Sequence, residues 1–498
     1  VVMTAAGRPE GRLRLRRPPR PLRPRVALAG FCTGFLVVAV FGFAPYRAST
    51  DEARACATDG ELTIATGSDV STGSFRRDLI EEWNRREGAM KAKLVEISSS
   101  TDEERAEMAA AAQSQSCAYD ILVLDVAWTA EFARNGHLRP VALDAGRSAA
   151  FLDKPLDSTE VDGVRYALPF ATDAPLLFRQ AGLPLPTAPG QLVRLAAEHG
   201  YAGQFDDYEG GTVNLLEAVL SGGAEVMEGD RVVLDAPENA GKAKGALTAW
   251  HAMLSRQTWT DGARSLREES SLQGFRSRRA GYLRNWPFAF HRLASDPSMR
   301  DGKNLRFAMS ALPGPGVLGG FNLAVTRRSP DHEQAERLIA FLTTAEAQKK
   351  LFACGGYPPV VESVYDDYRA EPGAGASGAG GAGPEETGAT ASGPRTCREL
   401  LAAGGLRPAG PDPGTEITSG QLALFADAIR RAVQDTRPRP PVAHYATFSE
   451  VFRSCLRQVT SGALSPDDLD FPRYADALRG ALDGRRPEGD PCRRSSEQ

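Results

Sequence analysis

Tyr119-Asp-Ile-Leu-Val-Leu-Asp-Val-Ala-Trp128 is the stretch on which the fold turns. Its apolar run, closing on Asp125, reads as a strand buried on both faces, the pattern of a strand inside a parallel sheet. Upstream, Glu61-Leu-Thr-Ile-Ala65 and Lys93-Leu-Val-Glu-Ile97 read as two further strands. Between them, Phe75–Arg86 has helical periodicity with Leu79, Ile80 and Trp83 on one face, and Asp102–Ala112 is an alanine-rich helix. Strands alternating with helices this regularly imply an α/β fold with a parallel sheet covered on both faces. Ligands of such sheets bind beyond the carboxyl ends of the strands. That places the small-residue turn Thr66–Gly73, with Asp69, and the segment Asp125-Val-Ala-Trp128 at the expected site. Trp128 has a competing reading as core.

The rest of the chain bounds what surrounds this unit. Its 498 residues, 42% hydrophobic and 24% charged, suit several soluble globular domains and exclude a polytopic membrane protein or a wholly disordered chain. The formal net charge is −4, but residues 1–25 carry eight Arg against one Glu, so that +7 leaves −11 on the remainder. An acidic body argues against nucleic acid as a partner. Val26–Ala44 follows, 19 residues without a charge and long enough to cross a bilayer core. With its basic flank it is expected to act as a signal anchor that exports everything after it. A cleaved signal peptide, or a lipid anchor at Cys32, is the alternative.

Six cysteines fall in the exported part, none in C-x-x-C spacing, which favours disulfides over a zinc site. Fifteen pairings are open, and buried free thiols are the other reading. Cys56 and Cys117 precede two strands that neighbour each other in a parallel sheet, which suggests one bridge. Cys354–Cys397 would close the base of the glycine-rich excursion Pro372–Gly393, leaving Cys455–Cys492. Leu422–Val433, Phe448–Val459 and Tyr474–Leu482 are amphipathic helix candidates.

Enzyme signatures are missing from the sequence. There is no G-x-x-x-x-G-K-[ST], H-E-x-x-H or G-x-S-x-G, and six scattered His have no metal spacing. Asp206-Asp207 and Asp366-Asp367 could do acid/base work on a glycoside, but adjacent acids arise by chance among 63. The expectation is a protein that does no chemistry, with no metal and no cofactor.

A series of individually weak segments, taken in order, resembles the extracellular solute-binding proteins of carbohydrate ABC importers, of the maltose/trehalose-binding kind. Tyr119–Trp128 with Gly136-His-Leu-Arg-Pro140 looks like that family's strand, ligand aspartate and capping helix. Leu168-Pro-Phe170 with Asp173 and Leu176-Leu-Phe178 resembles its first crossing between lobes, and Asn285-Trp-Pro-Phe-Ala-Phe290 its sugar-facing aromatic segment. Leu312-Pro-Gly314, Gly319-Gly-Phe-Asn-Leu-Ala-Val325 and the helix Glu333–Thr343 resemble the return to the first lobe. Arg439-Pro440 with Tyr445 resembles the late Arg-Pro segment.

The resemblance implies a two-lobe, periplasmic-binding-protein-like α/β fold with a hinge, preceded by one N-terminal helix. The expected organisation is a basic segment 1–25, an anchor or signal 26–44, a linker 45–60, lobe I from 61–170 and 306–342, lobe II from 171–305 and 343–485 with the 372–393 insertion, and a tail 486–498. It also implies a sugar ligand, an oligosaccharide, with another small solute as the alternative, and the membrane permease of an ABC importer as partner. A tethered small-molecule sensor on the same fold is the alternative.

Sugars present apolar C–H faces that stack on rings and a rim of hydroxyls that need donors and acceptors. The ligand-binding candidates are therefore Asp69, Asp125, Trp128, Asp173, Trp286, Phe288, Gly320, Phe321 and Arg439. Bland roles stand beside these: core for Trp286 and Phe288, helix capping for Asp125, a simple turn for Gly320, a surface ion pair for Arg439.

Overall fold

A computed structural model describes residues 56, 60–69, 73–98, 100–114, 116–257, 265–369, 396–403 and 417–493. The expected anchor Val26–Ala44, the basic segment before it and the glycine-rich excursion Pro372–Gly393 lie outside the described residues. Among the described residues no helix is long and apolar enough to cross a membrane.

The elements that position the site are, in chain order, β1 (Glu61–Thr66), α1 (Phe75–Asn84), β2 (Lys91–Glu96), α2 (Thr101–Gln113), β3 (Ile121–Asp125), β4 (Leu168–Asp173), β5 (Leu176–Gln180), β6 (Tyr201–Ala202), α3 (Glu209–Ser221), β7 (Tyr282–Asn285), α4 (Ala289–Ala294), β8 (Phe307–Ala311), β9 (Gly316–Val317), β10 (Gly319–Val325), α5 (His332–Leu342), α6 (Ser419–Gln434), β11 (Thr436–Arg437), α7 (Tyr445–Ser461) and α8 (Phe471–Leu482). Two sheets result. The first has the order β2-β1-β3-β10-β4, with β1 parallel to both β2 and β3 and with β10 antiparallel to β3 and β4. The second has the order β8-β5-β7-β6.

The first sheet forms as its sequence dictates. All five residues of β3 are buried, and α1 turns Leu79, Ile80 and Trp83 into the core on one side of the sheet. Leu122, Leu124 and Ala324 face the other side. In the closing helices the amphipathic pattern also decides the packing: α6 buries Leu422, Phe425, Ile429 and Val433, α7 buries Phe448, Val451, Phe452 and Leu456, and α8 buries Tyr474 and Leu478.

Strand β8 falls elsewhere than expected. The expected organisation puts 306 onward in lobe I, whereas Phe307–Ala311 pairs along its whole length with β5 in the second sheet. A strand's own sequence names its pleat and not its partner. The chain passes between the sheets at Asp173–Leu176 and again between Ala311 and Gly319, where β9 pairs in parallel with β11. Beyond Leu342, Ala347, Leu351 and Tyr357 still pack in the core of the first sheet.

Three cysteine pairs stand at disulfide distance: Cys56–Cys117, Cys354–Cys397 and Cys455–Cys492, with Cα atoms 5.8, 4.8 and 5.2 Å apart. They are the pairs suggested from placement along the chain.

His291 in α4 is 2% exposed, with Nε2 3.0 Å from the carbonyl of Ala353. Burial pushes its pKa down to about 4. The unfolded chain, with an ordinary pKa near 6.5, therefore takes up the proton first as the pH falls, and stability is lost between about pH 6.5 and 4. His291→Gln is expected to remove roughly 3 kcal/mol of that acid sensitivity. Urea midpoints at pH 7 and 4.5 check it: equal losses in both proteins would refute the assignment.

Candidate functional site at the carboxyl edge of the first sheet

The carboxyl ends of β1, β3 and β4 come out on one edge of the first sheet, because β10 runs antiparallel to β3 and β4 and leaves those two parallel to each other. Asp69 follows β1, Asp125 ends β3, Asp173 ends β4, and Gly319–Phe321 begin β10 beside them, Gly319 opposite Asp173 and Phe321 opposite Asp125. The topology thus brings together three acids spread over about a hundred residues of chain.

Asp125 is buried at the end of β3. Its Oδ1 accepts from the Ala127 amide at 2.9 Å, in the turn that follows β3, and from Arg439 Nη2 at 2.5 Å, while the helix Thr129–Arg134 beyond the turn has no side-chain cap. Arg439 also donates from Nη1 to Glu209 Oε1 at 2.8 Å, so one buried guanidinium joins the end of β3 to the first residue of α3. Glu209 accepts in addition from the Tyr445 hydroxyl at 2.5 Å and from Ser449 Oγ at 2.6 Å. Burial works against the charge on Arg439, but Asp125, Tyr445 and Glu209 beside it raise its pKa. Arg439 is therefore a buried bridge, where a surface pair or a donor to ligand was expected, and its guanidinium nitrogens Nη1 and Nη2 are both engaged.

A second arginine repeats the device. Arg453 of α7 reaches Asp102 of α2 at 3.0 Å and Asp207 at 2.8 Å, and Asp102 Oδ1 accepts from the Glu209 amide at 3.1 Å. A carboxylate facing the first amides of α3 is favoured by the helix dipole.

Asp173 is pushed up to about 7, first by burial and then by the charge of Asp125. Asp69 accepts from the Tyr357 hydroxyl at 2.7 Å and lies 3.4 Å from Arg76 Nε. Arg76, 5% exposed, is further held by Thr66 Oγ1 at 2.6 Å and the Gly67 carbonyl at 3.0 Å.

From the second sheet, β7 delivers Trp286. Its ring is half-buried and the guanidinium carbon of Arg284 lies 4.0 Å from its centroid. Arg284, fully buried, is held by Glu217 through Nε at 2.9 Å and Nη2 at 2.7 Å and by Gln204 at 3.0 Å. A side chain on Gly319 would come within 2.9 Å of the far edge of the Trp286 ring. Trp286 therefore stands over the start of β10, next to Asp173, with a cation fixing one side of its π-system.

Trp128 and Phe288 take the core placement that stood as their other reading. Trp128 is 2% exposed inside the main core, Phe288 is 7% exposed, and Phe321 packs half-buried against the core of the first sheet. Gly320 sits at φ +117°, and a Cβ there would lie 2.3 Å from the Ala171 carbonyl, so glycine is demanded by the neighbouring strand. The sequence reading overlooked Glu104, Glu209, Arg284 and Arg453 as neighbours of the site. Each lies on a helix or strand whose spacing gives no sign of the second element it meets.

Two cavities of about 660 and 290 Å³ lie toward the opposite ends of the strands, lined respectively by Arg139, Arg327 and His332 and by Met108, Tyr119 and His137.

With this geometry in hand, the comparisons with known proteins are informative. The bacterial extracellular solute-binding protein family matches residues 79–376. A protein of Deinococcus radiodurans named "Probable ABC transporter-binding protein" is 25% identical over 314 residues, covering 58% of this chain and 73% of its own. Among solved structures, maltose-bound MalE3 of T. maritima aligns with TM-score 0.64 at 21% identity over 85% of this chain and 99% of its own. A solute-binding protein of Thermotoga lettingae bound with α-D-tagatose aligns with TM-score 0.65 at 19% identity, over 85% and 99%. These structural likenesses carry the two-lobe α/β fold.

Proposed function

We propose, from the premise that this chain belongs to the bacterial extracellular solute-binding protein family, that it captures a carbohydrate between its two lobes and hands it to the permease of an ABC importer. The observation that carries the sugar reading is Trp286, a half-buried ring from the second sheet set over Gly319 and beside the acids of the first. A ring and carboxylates facing one another across two lobes are what a sugar's apolar face and hydroxyl rim require. Ligand specificity then rests on Trp286, Asp125 and Asp173, with Asp69 beyond them. The relatives whose structures hold maltose and tagatose support the same class of ligand.

Function in this reading is differential affinity: the closed arrangement of lobes binds the solute better than the open one, and closure is driven by that difference. In this reading the Arg439 bridge between β3 and α3 ties one lobe to the other. In this proposal Val26–Ala44 tethers the protein at the outer face of the membrane, on the strength of its 19 uncharged residues.

Calorimetric titration of the exported part with maltose tests the proposal. Trp286→Ala is expected to weaken binding by roughly 1–3 kcal/mol, while the melting temperature of the empty protein moves little because the ring is only half-buried. An unaltered affinity in that variant would exclude the ring as a platform.

A further inference from the structure

Charge is out of balance at the carboxyl edge. Asp69, Glu104, Asp125, Asp173 and Glu209 form one electrostatically linked group, and the guanidinium groups among them, Arg76 and Arg439, are already committed. Arg76 is held by Asp69, Thr66 and Gly67, and Arg439 by Asp125 and Glu209. Arg284 and Arg453, nearby, are paired with Glu217 and with Asp102 and Asp207.

Glu104 is the residue left over. It is 4% exposed, it points from α2 over the end of β1, and its Oε1 has no hydrogen-bond partner among the described residues. Gly67 makes room for it, since a Cβ there would lie 2.5 Å from Glu104 Oε2. Asp125 opposes a charge on it and Arg76 favours one. A buried carboxyl oxygen without a partner is costly, and natural structures rarely keep one without a use. Asp173, across the same edge, has no ion pair among the described residues.

A metal ion does not fit this vacancy in the charge balance, because no group of three or more His, Cys, Asp or Glu among the described residues could hold one. A single ammonium group would supply what is missing, one positive charge and three donors, and a sugar ring can carry it.

We propose that the solute is an amine-bearing sugar, and that Glu104 receives its ammonium group while Asp125 and Asp173 take neighbouring hydroxyls. This rests on the sugar reading above and narrows it. The protonation chemistry agrees. Burial, with Asp125 adding to it, pushes Glu104 up to about 8, so the empty protein holds a proton there at neutral pH. Arrival of an ammonium group favours the carboxylate, and the carboxyl proton passes to the buffer.

The test uses maltotriose and three derivatives of it, each with a primary amine in place of the 6-hydroxyl of one ring. Calorimetry on the exported part is run at pH 7 in phosphate and in Tris. At least one amino derivative is expected to bind about tenfold or more tighter than maltotriose, with an apparent enthalpy that depends on the buffer and corresponds to release of up to one proton. Its affinity is expected to rise with pH between 6 and 8. Glu104→Gln, close to an isostere of the protonated acid, is expected to abolish the difference between the amino derivative and maltotriose. If maltotriose binds and every derivative binds no tighter, the amine inference falls and the sugar reading stands. If neither maltotriose nor its derivatives bind, both fall. Tighter binding without buffer dependence overturns the role of Glu104, and the measurement on the unsubstituted protein holds even if Glu104→Gln fails to fold.

Discussion

Replacing Arg439 by methionine is expected to destabilise the empty protein by about 3–5 kcal/mol, the cost of leaving buried charge unpaired. The guanidinium is 2% exposed and lies between Asp125 at 2.5 Å and Glu209 at 2.8 Å. Methionine fills the stem's volume and supplies no donor, so two carboxylates are left facing each other in a dry setting. Glu209 keeps Tyr445 and Ser449, but Asp125 keeps only the Ala127 amide. Combining Arg439→Met with Asp125→Asn and Glu209→Gln should recover a large part of the loss, because it removes the repelling charges along with their partner. Urea denaturation of the unsubstituted protein, Arg439→Met and the triple variant measures this. If the triple variant is no more stable than Arg439→Met alone, the loss comes from packing and the ion-pair account is wrong.

Trp128→Ala is expected to cost about 3–5 kcal/mol of stability in the same assay, the ordinary price of emptying a large aromatic site in a core. Trp128 is 2% exposed and shares its cluster with Leu122, Leu124, Phe132 and Ala324. The contrast with Trp286 is the useful part. Both tryptophans are ligand candidates in the sequence, yet truncation of the first should lower the melting temperature before any ligand is added, and truncation of the second should act on affinity. A Trp128→Ala variant with an unchanged melting temperature would overturn its placement in the core.

The two tryptophans also show where a sequence stops informing. Periodicity tells that Ile121–Leu124 is a doubly covered strand and that Phe75–Arg86 and Phe448–Val459 are amphipathic helices, because burial on a given face leaves a period in the chain itself. Asp125 was legible for the same reason: an acid that ends such a strand comes out at the sheet's carboxyl edge. Cysteine placement led to the three pairs seen at disulfide distance, since Cys56 and Cys117 both precede strands that enter the sheet from one end.

What lies beyond the chain's local pattern was decided in three dimensions. Strand β8 reads as a strand by its sequence, but its pairing with β5 depends on hydrogen bonds that any pleated neighbour can offer. Gly320 was legible as a site of close approach, and only its φ of +117° and the Ala171 carbonyl show that the approaching group is the next strand. Glu104 and Glu209 sit in helices with nothing in their spacing to mark them, and they matter because α2 and α3 bring them to the edge where Asp125 ends.

By itself, then, the sequence determined the α/β alternation, the helix faces, the acid at the end of β3 and the aromatic segment around Trp286. The tertiary structure decided which arginine meets which carboxylate and that a buried oxygen of Glu104 is left without a hydrogen-bond partner among the described residues. The physical reason is range: propensity and periodicity act within a few turns of chain, whereas charge balance is settled among side chains that are neighbours only after folding, such as Arg439 and Asp125, which are separated by 314 positions.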